Sequence, residues 1–151
     1  MTDFFAGQMD YVFFIYGTSF FLLALCCRLV YRLEKRSFWK LFGIFGLIHG
    51  VNEWLDLGVV SFGDSLFFRI FRMALILSAF IFLAETARAF VLERGKKVPA
   101  WFIPCVGLFA VAAGAALEGV AGADFFVRML LGFCGGILVG SIMLDRARSD
   151  R

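Results

Sequence analysis

The segment His49-Gly50-Val51-Asn52-Glu53-Trp54-Leu55-Asp56 sets four polar side chains into an otherwise apolar run from Phe38 to Val60. A run of that length matches the roughly 20 residues a helix needs to cross about 30 Å of hydrocarbon. On a helix, positions 49, 52, 53 and 56 follow the i, i+3, i+4, i+7 spacing, so the four side chains form one stripe. Each carboxylate or imidazole near a bilayer centre costs on the order of a few kcal/mol unless it is paired or hydrated. A chain that accepts this cost repeatedly on one face has partners or a ligand there.

The surrounding composition supports a membrane setting. The chain has 151 residues, 62% of them apolar, with 21 Phe and a mean hydropathy of +0.88. A soluble chain this short has too little interior to hide so much apolar surface. The first apolar run is too long for a signal peptide and lacks its basic leading segment. The expected fold is all-α, a polytopic bundle of five transmembrane helices in one domain over residues 1–151. The spans are read at about 11–27, 38–60, 66–92, 98–117 and 125–144, the first extending towards Phe4 with only Asp10 interrupting. Linkers are read at Val30–Ser37, Ser61–Ser65, Glu93–Lys97 and Glu118–Asp124. Such short links make successive helices antiparallel neighbours.

Basic residues orient this arrangement. Arg28, Arg32, Lys35, Arg36 and Lys40 flank the first link, and Arg88, Arg94, Lys96 and Lys97 the third. Arg146, Arg148 and Arg151 lie in the tail. In a five-span arrangement all but Arg69, Arg72 and Arg128 fall on one side, which implies an outside N-terminus and a cytoplasmic C-terminus.

Cys26, Cys27, Cys105 and Cys134 form no ligand spacing and read as small apolar packing residues, with the adjacent pair also open to acylation or redox chemistry. Gly132, Gly136 and Gly140 form a GxxxGxxxG face, either a seam inside the bundle or a homodimer interface. Gly107, Ala110 and Gly114 form a second small-residue face, and Gly46 and Gly50 a third beside the stripe. Trp39 and Trp101 read as interface anchors.

Counting back from a turn near Phe62 and Gly63 puts Asp56 level with Arg69 and Glu53 level with Arg72. Two such Arg–carboxylate pairs would offset the burial of all four charges. That leaves His49, the only histidine, and Asn52. His49, Asn52, Glu53, Asp56, Arg69 and Arg72 are therefore the candidate ligand-binding residues, with Phe42 and Phe45 as an apolar wall. His49 and Glu53, at i, i+4, can share a proton or ligand group. No second His or Cys completes a metal set, although a haem held through His49 alone, or through one His from each of two chains, stays open.

The run Phe45-Gly46-Leu47-Ile48-His49-Gly50-Val51-Asn52-Glu53-Trp54-Leu55-Asp56, followed by Gly63-Asp64-Ser65 and an Arg-bearing third span, resembles a segment in the multi-span N-terminal regions of bacterial signalling proteins. There a membrane module precedes PAS, histidine-kinase or diguanylate-cyclase domains. The likeness covers mainly spans two and three, and no output domain follows in this chain. The resemblance implies a membrane-embedded sensory input module of the bacterial inner membrane, with an unnamed small ligand. The tail Asp145-Arg146-Ala147-Arg148-Ser149-Asp150-Arg151 contains no helix breaker, so the last helix could continue into a signalling helix or end as a basic stop-transfer tail.

Other classes remain. Catalysis lacks HExxH, GxSxG or a repeated Asp/His set, so the chain reads as a non-enzyme. A transporter would usually show repeats, although proton conduction through His49, Glu53 and Asp56 stays open. A subunit or assembly protein, with the stripe binding a partner helix, is the main alternative. Nothing points to nucleic acid; the bilayer is the expected partner.

Overall fold

The computed structural model describes residues 8–95 and 97–149. Phe4, Lys96, Asp150 and Arg151, used above, lie outside the described residues. The described chain is all-helical. It comprises α1 (Met9–Glu34), α2 (Ser37–Phe62), α3 (Leu66–Glu93), α4 (Phe102–Val127), a π-helical segment (Arg128–Phe133) and α5 (Cys134–Ser149).

Local chemistry sets the turns. Helix α1 runs past Val30, where a link was expected, because nothing before Glu34 breaks it; it stops at Lys35, in the left-handed conformation (φ 58), whose amide donates to the Tyr31 carbonyl. Gly63, at φ 85, ends α2, and the Ser65 hydroxyl accepts from the Phe68 amide at 3.2 Å to start α3. Val98 and Pro99 precede the next helix instead of opening it, since a proline suits the residues just before a helix.

The segments Asp10–Glu34, Leu66–Glu93 and Phe102–Arg148 are each long and apolar enough to cross a membrane. The third, 47 residues long, is interrupted at Glu118 (φ −139, ψ 24) and Gly119 (φ 64, ψ −142). Backbone at Gly119's angles is open to glycine and costly for other residues. The chain doubles back there. Gly114 lies against the Gly122 backbone, and a Cβ on Gly107 would stand 3.4 Å from Leu131 Cδ1. The helix resumes at once after Gly119, so the expected link Glu118–Asp124 is mostly helical. Helix α2 is not among the three apolar segments, because its polar stripe lowers its hydropathy. It packs instead between α1 and α3.

The interior is mostly apolar but also holds polar groups, and the exterior is apolar to a degree unlike a water-soluble domain. His49, Asn52, Glu53 and Thr86 are buried, whereas Ile15, Leu22, Leu66, Phe67, Leu108 and Phe109 are exposed. An apolar exterior over a partly polar interior suits a lipid-facing molecule, in which each buried polar group must find a partner inside.

Small residues draw the helices together. Cβ atoms at Gly46 and Gly50 would stand 3.0 Å from the carbonyl oxygens of Phe20 and Gly17, so α1 and α2 touch along their backbones. Gly107 and Gly114 form the seam across the reversal at Gly119. The Gly132 face, read above as seam or homodimer surface, is divided: Gly132 lies under the Phe80 ring of α3, while Gly136 and Gly140 are exposed and border open space.

The helix ends opposite the Gly63 turn are joined by ion pairs. Arg146 meets Glu34 at 2.6 Å, Arg94 meets Asp145 at 2.6 Å and Arg36 meets Glu93 at 3.6 Å. Trp39 Nε1 also donates to Glu34 at 2.9 Å. The last turn of α5 is thus fastened to α1 and α3.

Candidate functional site

The stripe on α2 is the centre of the buried polar structure. His49 is 4% exposed, Asn52 1% and Glu53 4%. His49 Nε2 faces Glu53 Oε1 at 3.4 Å, and Asn52 Nδ2 donates to Asp56 Oδ2 at 3.3 Å. Helical spacing alone brings both pairs together.

The hairpin partners differ from the expected register. Arg72 pairs with Asp56 through Nη1 and with Asp64 through Nη2 at 3.1 Å, while Arg69 Nε meets Asp64 at 3.2 Å. Glu53 pairs with His49, and no Glu53–Arg72 ion pair occurs among the described residues. The reason is side-chain direction. Helical side chains lean towards their own N-terminus. Arg69 and Arg72 therefore reach up to the Gly63–Ser65 turn, and Glu53 leans down its helix to His49. Residues level at Cα diverge at their tips.

Two cavities flank the stripe. On the turn side, a chamber of about 170 Å³ is lined by Asn52, Asp56, Arg69, Arg72, Asp124 and Arg128. Asp124 and Arg128 come from the returning arm beyond Gly119 and meet at 2.8 Å. On the other side, a cleft of about 520 Å³ is bounded by Tyr16 and Phe20 of α1, Phe42, Phe45 and His49 of α2, Phe80 and Leu83 of α3, and the Gly132, Gly136 and Gly140 face. Arg128 borders both.

The rings of Phe20, Phe45 and Phe80 stand 4.3, 5.4 and 5.5 Å from the imidazole, centroid to centroid. His49 Nδ1, Asn52 Oδ1 and Arg72 Nε are buried with no hydrogen-bond partner among the described residues. An unmet buried polar atom costs about 1–3 kcal/mol. Asn52 and Arg72 line the turn-side chamber and His49 lines the cleft, so each cavity is bordered by a residue carrying an unmet buried polar atom.

All six candidate residues line these features or pair within them, and Phe42 and Phe45 form the expected wall. Sequence reasoning did not include Asp64, Asp124, Arg128, Tyr16, Phe20 or Phe80. The Asp124–Arg128 i, i+4 pair inside an apolar stretch was a usable signal; the aromatic residues carried none among so many Phe. No cluster of three or more His, Cys, Asp or Glu is placed to hold a metal among the described residues. A haem on His49 would have to displace rings packed round the imidazole.

Comparison of the chain with family models, curated proteins and solved structures returns no match.

Proposed function

We propose that this chain is a membrane-embedded sensory input module. In this reading it crosses the membrane five times, with the reversal at Glu118–Gly119 separating the fourth and fifth passes. Its N-terminus lies outside and its C-terminus in the cytoplasm, in keeping with the one-sided distribution of Lys and Arg. A small ligand binds at the His49–Asn52–Glu53 wall, and the last helix carries the change to a cytoplasmic output.

One observation supports this most: three buried polar atoms without partners, on residues that line the two cavities, Asn52 and Arg72 in the chamber and His49 in the cleft. A stripe needed only for folding would be closed by its own pairs, as Asp56 is by Arg72. The ring contacts supply a relay. His49 touches α1 through Phe20 and α3 through Phe80, and Gly132 beneath Phe80 belongs to the arm leading into α5. A ligand that moves these rings biases the packing of the last helix, which is how a small local change shifts a two-state element.

The test is a fusion of a cytoplasmic reporter enzyme to Arg151. His49→Phe, Asn52→Leu and Glu53→Gln should each change basal output several-fold in membrane-inserted protein of normal helicity. Leu108→Ala, on the exposed face, should not. Unchanged output in all three site variants would refute the sensor reading and favour a subunit or assembly role.

A further inference from the structure

We infer that the cleft between α1 and α5 binds a neutral, lipid-soluble molecule with a flat ring bearing carbonyl or hydroxyl groups, the quinone–quinol class, which reaches His49 sideways from the bilayer. This rests on the sensor reading and names the ligand class for the same site.

Position argues first. His49 is at the middle of α2, roughly 18 Å from either helix end at 1.5 Å per residue. A phospholipid headgroup stays near the interface, and the cation bordering the cleft, Arg128, is already paired with Asp124, so the site favours an uncharged ligand at this depth. The rim includes exposed Tyr16, Phe133, Gly136 and Gly140. A Cβ added at Gly136 or Gly140 would meet nothing within 4 Å. The glycine face therefore leaves a long smooth trough, suited to a hydrocarbon tail.

Hydrogen bonding argues next. The pair His49–Glu53 has two proton placements. With Glu53 ionised and Nε2 carrying the proton, Nδ1 is an acceptor and suits a ring hydroxyl. With Glu53 protonated and donating to Nε2, Nδ1 carries the proton and suits a ring carbonyl. The two placements differ by one proton, whereas a ring carbonyl and a ring hydroxyl differ by one proton and one electron, so the pair can bind either form without interconverting them. A hydrocarbon or an acyl chain would satisfy neither. The rings of Phe20, Phe45 and Phe80 offer stacking and edge contacts to a flat ring. Nδ1 is covered, so one of the surrounding rings has to yield as the ligand arrives, and Phe20, whose centroid stands 4.3 Å from the imidazole's, would carry that movement to α1.

The experiment is a binding titration of the purified full chain in lipid nanodiscs with decyl-benzoquinone, and with decylbenzene as the control lacking polar groups. Saturable quinone binding is expected, at least tenfold tighter than decylbenzene. His49→Phe should weaken it about tenfold, the scale of one buried hydrogen bond. Gly136→Leu with Gly140→Leu, whose Cβ atoms enter open space, should abolish it while circular dichroism stays unchanged. Equal binding of decylbenzene, no saturable quinone binding by folded protein, or full binding by the glycine double variant would each overturn the inference. None of these needs an output domain. A chain that binds no quinone but whose fused reporter responds to His49→Phe keeps the sensor reading, and one that binds quinone with an unresponsive reporter loses it.

Discussion

Replacing Arg72 tests the polar architecture most sharply, because this residue holds two carboxylates at once. Its guanidinium pairs with Asp56 and with Asp64, and the Arg72 and Asp56 side chains are 19% and 13% exposed. Removing one partner of a mostly buried pair leaves an uncompensated charge and costs about 3–5 kcal/mol. Arg72→Met should fall in that range, as should Asp56→Leu. The double variant buries no orphaned charge at this pair, so it should be less destabilised than the two single effects added, by about 2 kcal/mol or more. Glu53 provides the contrast. It leans towards His49, so Glu53→Gln and Arg72→Met should add to within about 0.5 kcal/mol. The assay is reversible unfolding in mixed micelles, titrated with a denaturing detergent and followed by circular dichroism. Additivity for Asp56 and Arg72, with strong coupling for Glu53 and Arg72, would refute the pairing and restore the register counted from the turn.

Other parts of the molecule make separate demands on the same assay. Gly50→Leu should destabilise by about 1–3 kcal/mol or more through overpacking, since a Cβ there already stands 3.0 Å from the Gly17 carbonyl; wild-type stability would remove the backbone seam between α1 and α2. Gly119→Ala forces a side chain into φ 64, ψ −142, at a cost of about 1–3 kcal/mol, and an unchanged midpoint would mean the reversal lies elsewhere. Arg146→Ala should cost about 1–2 kcal/mol, less than Arg72→Met, because Glu34 is 34% exposed and stays hydrated, while the guanidinium also leaves the Phe38 ring. It should nevertheless speed amide exchange in the last turn of α5, and unaltered exchange would discount the clasp. Haem added to purified protein should give no Soret band, as the phenyl rings crowd His49; a band lost in His49→Ala would contradict this.

Much of this architecture is legible in the amino-acid sequence, and the gaps have physical causes. Apolar runs and short links mark helices, and i, i+3, i+4, i+7 spacing marks the stripe, because both are properties of one helix alone. Helix ends were less readable: the helix persists through Val30–Glu34 and resumes after Gly119, since polarity does not stop a helix but a backbone angle does. Pairing across the hairpin failed at Glu53 and Arg72 because counting aligns Cα atoms, whereas long side chains meet at their tips. Arg128 and Asp124 join the site only through the reversal at Gly119, which no local pattern connects to α2. The Gly132–Gly140 face was visible as a face, but its direction depends on where α3 places Phe80.

His49 is the only histidine, so nitrogen-15 labelling of histidine alone reports on the site without further assignment. The account predicts that a total membrane lipid extract, titrated into the labelled protein in nanodiscs, shifts the Nδ1 resonance saturably. Gly136→Leu with Gly140→Leu should suppress the shift. An imidazole spectrum that the extract leaves unchanged, in folded protein, would contradict the claim that this buried wall is a binding site.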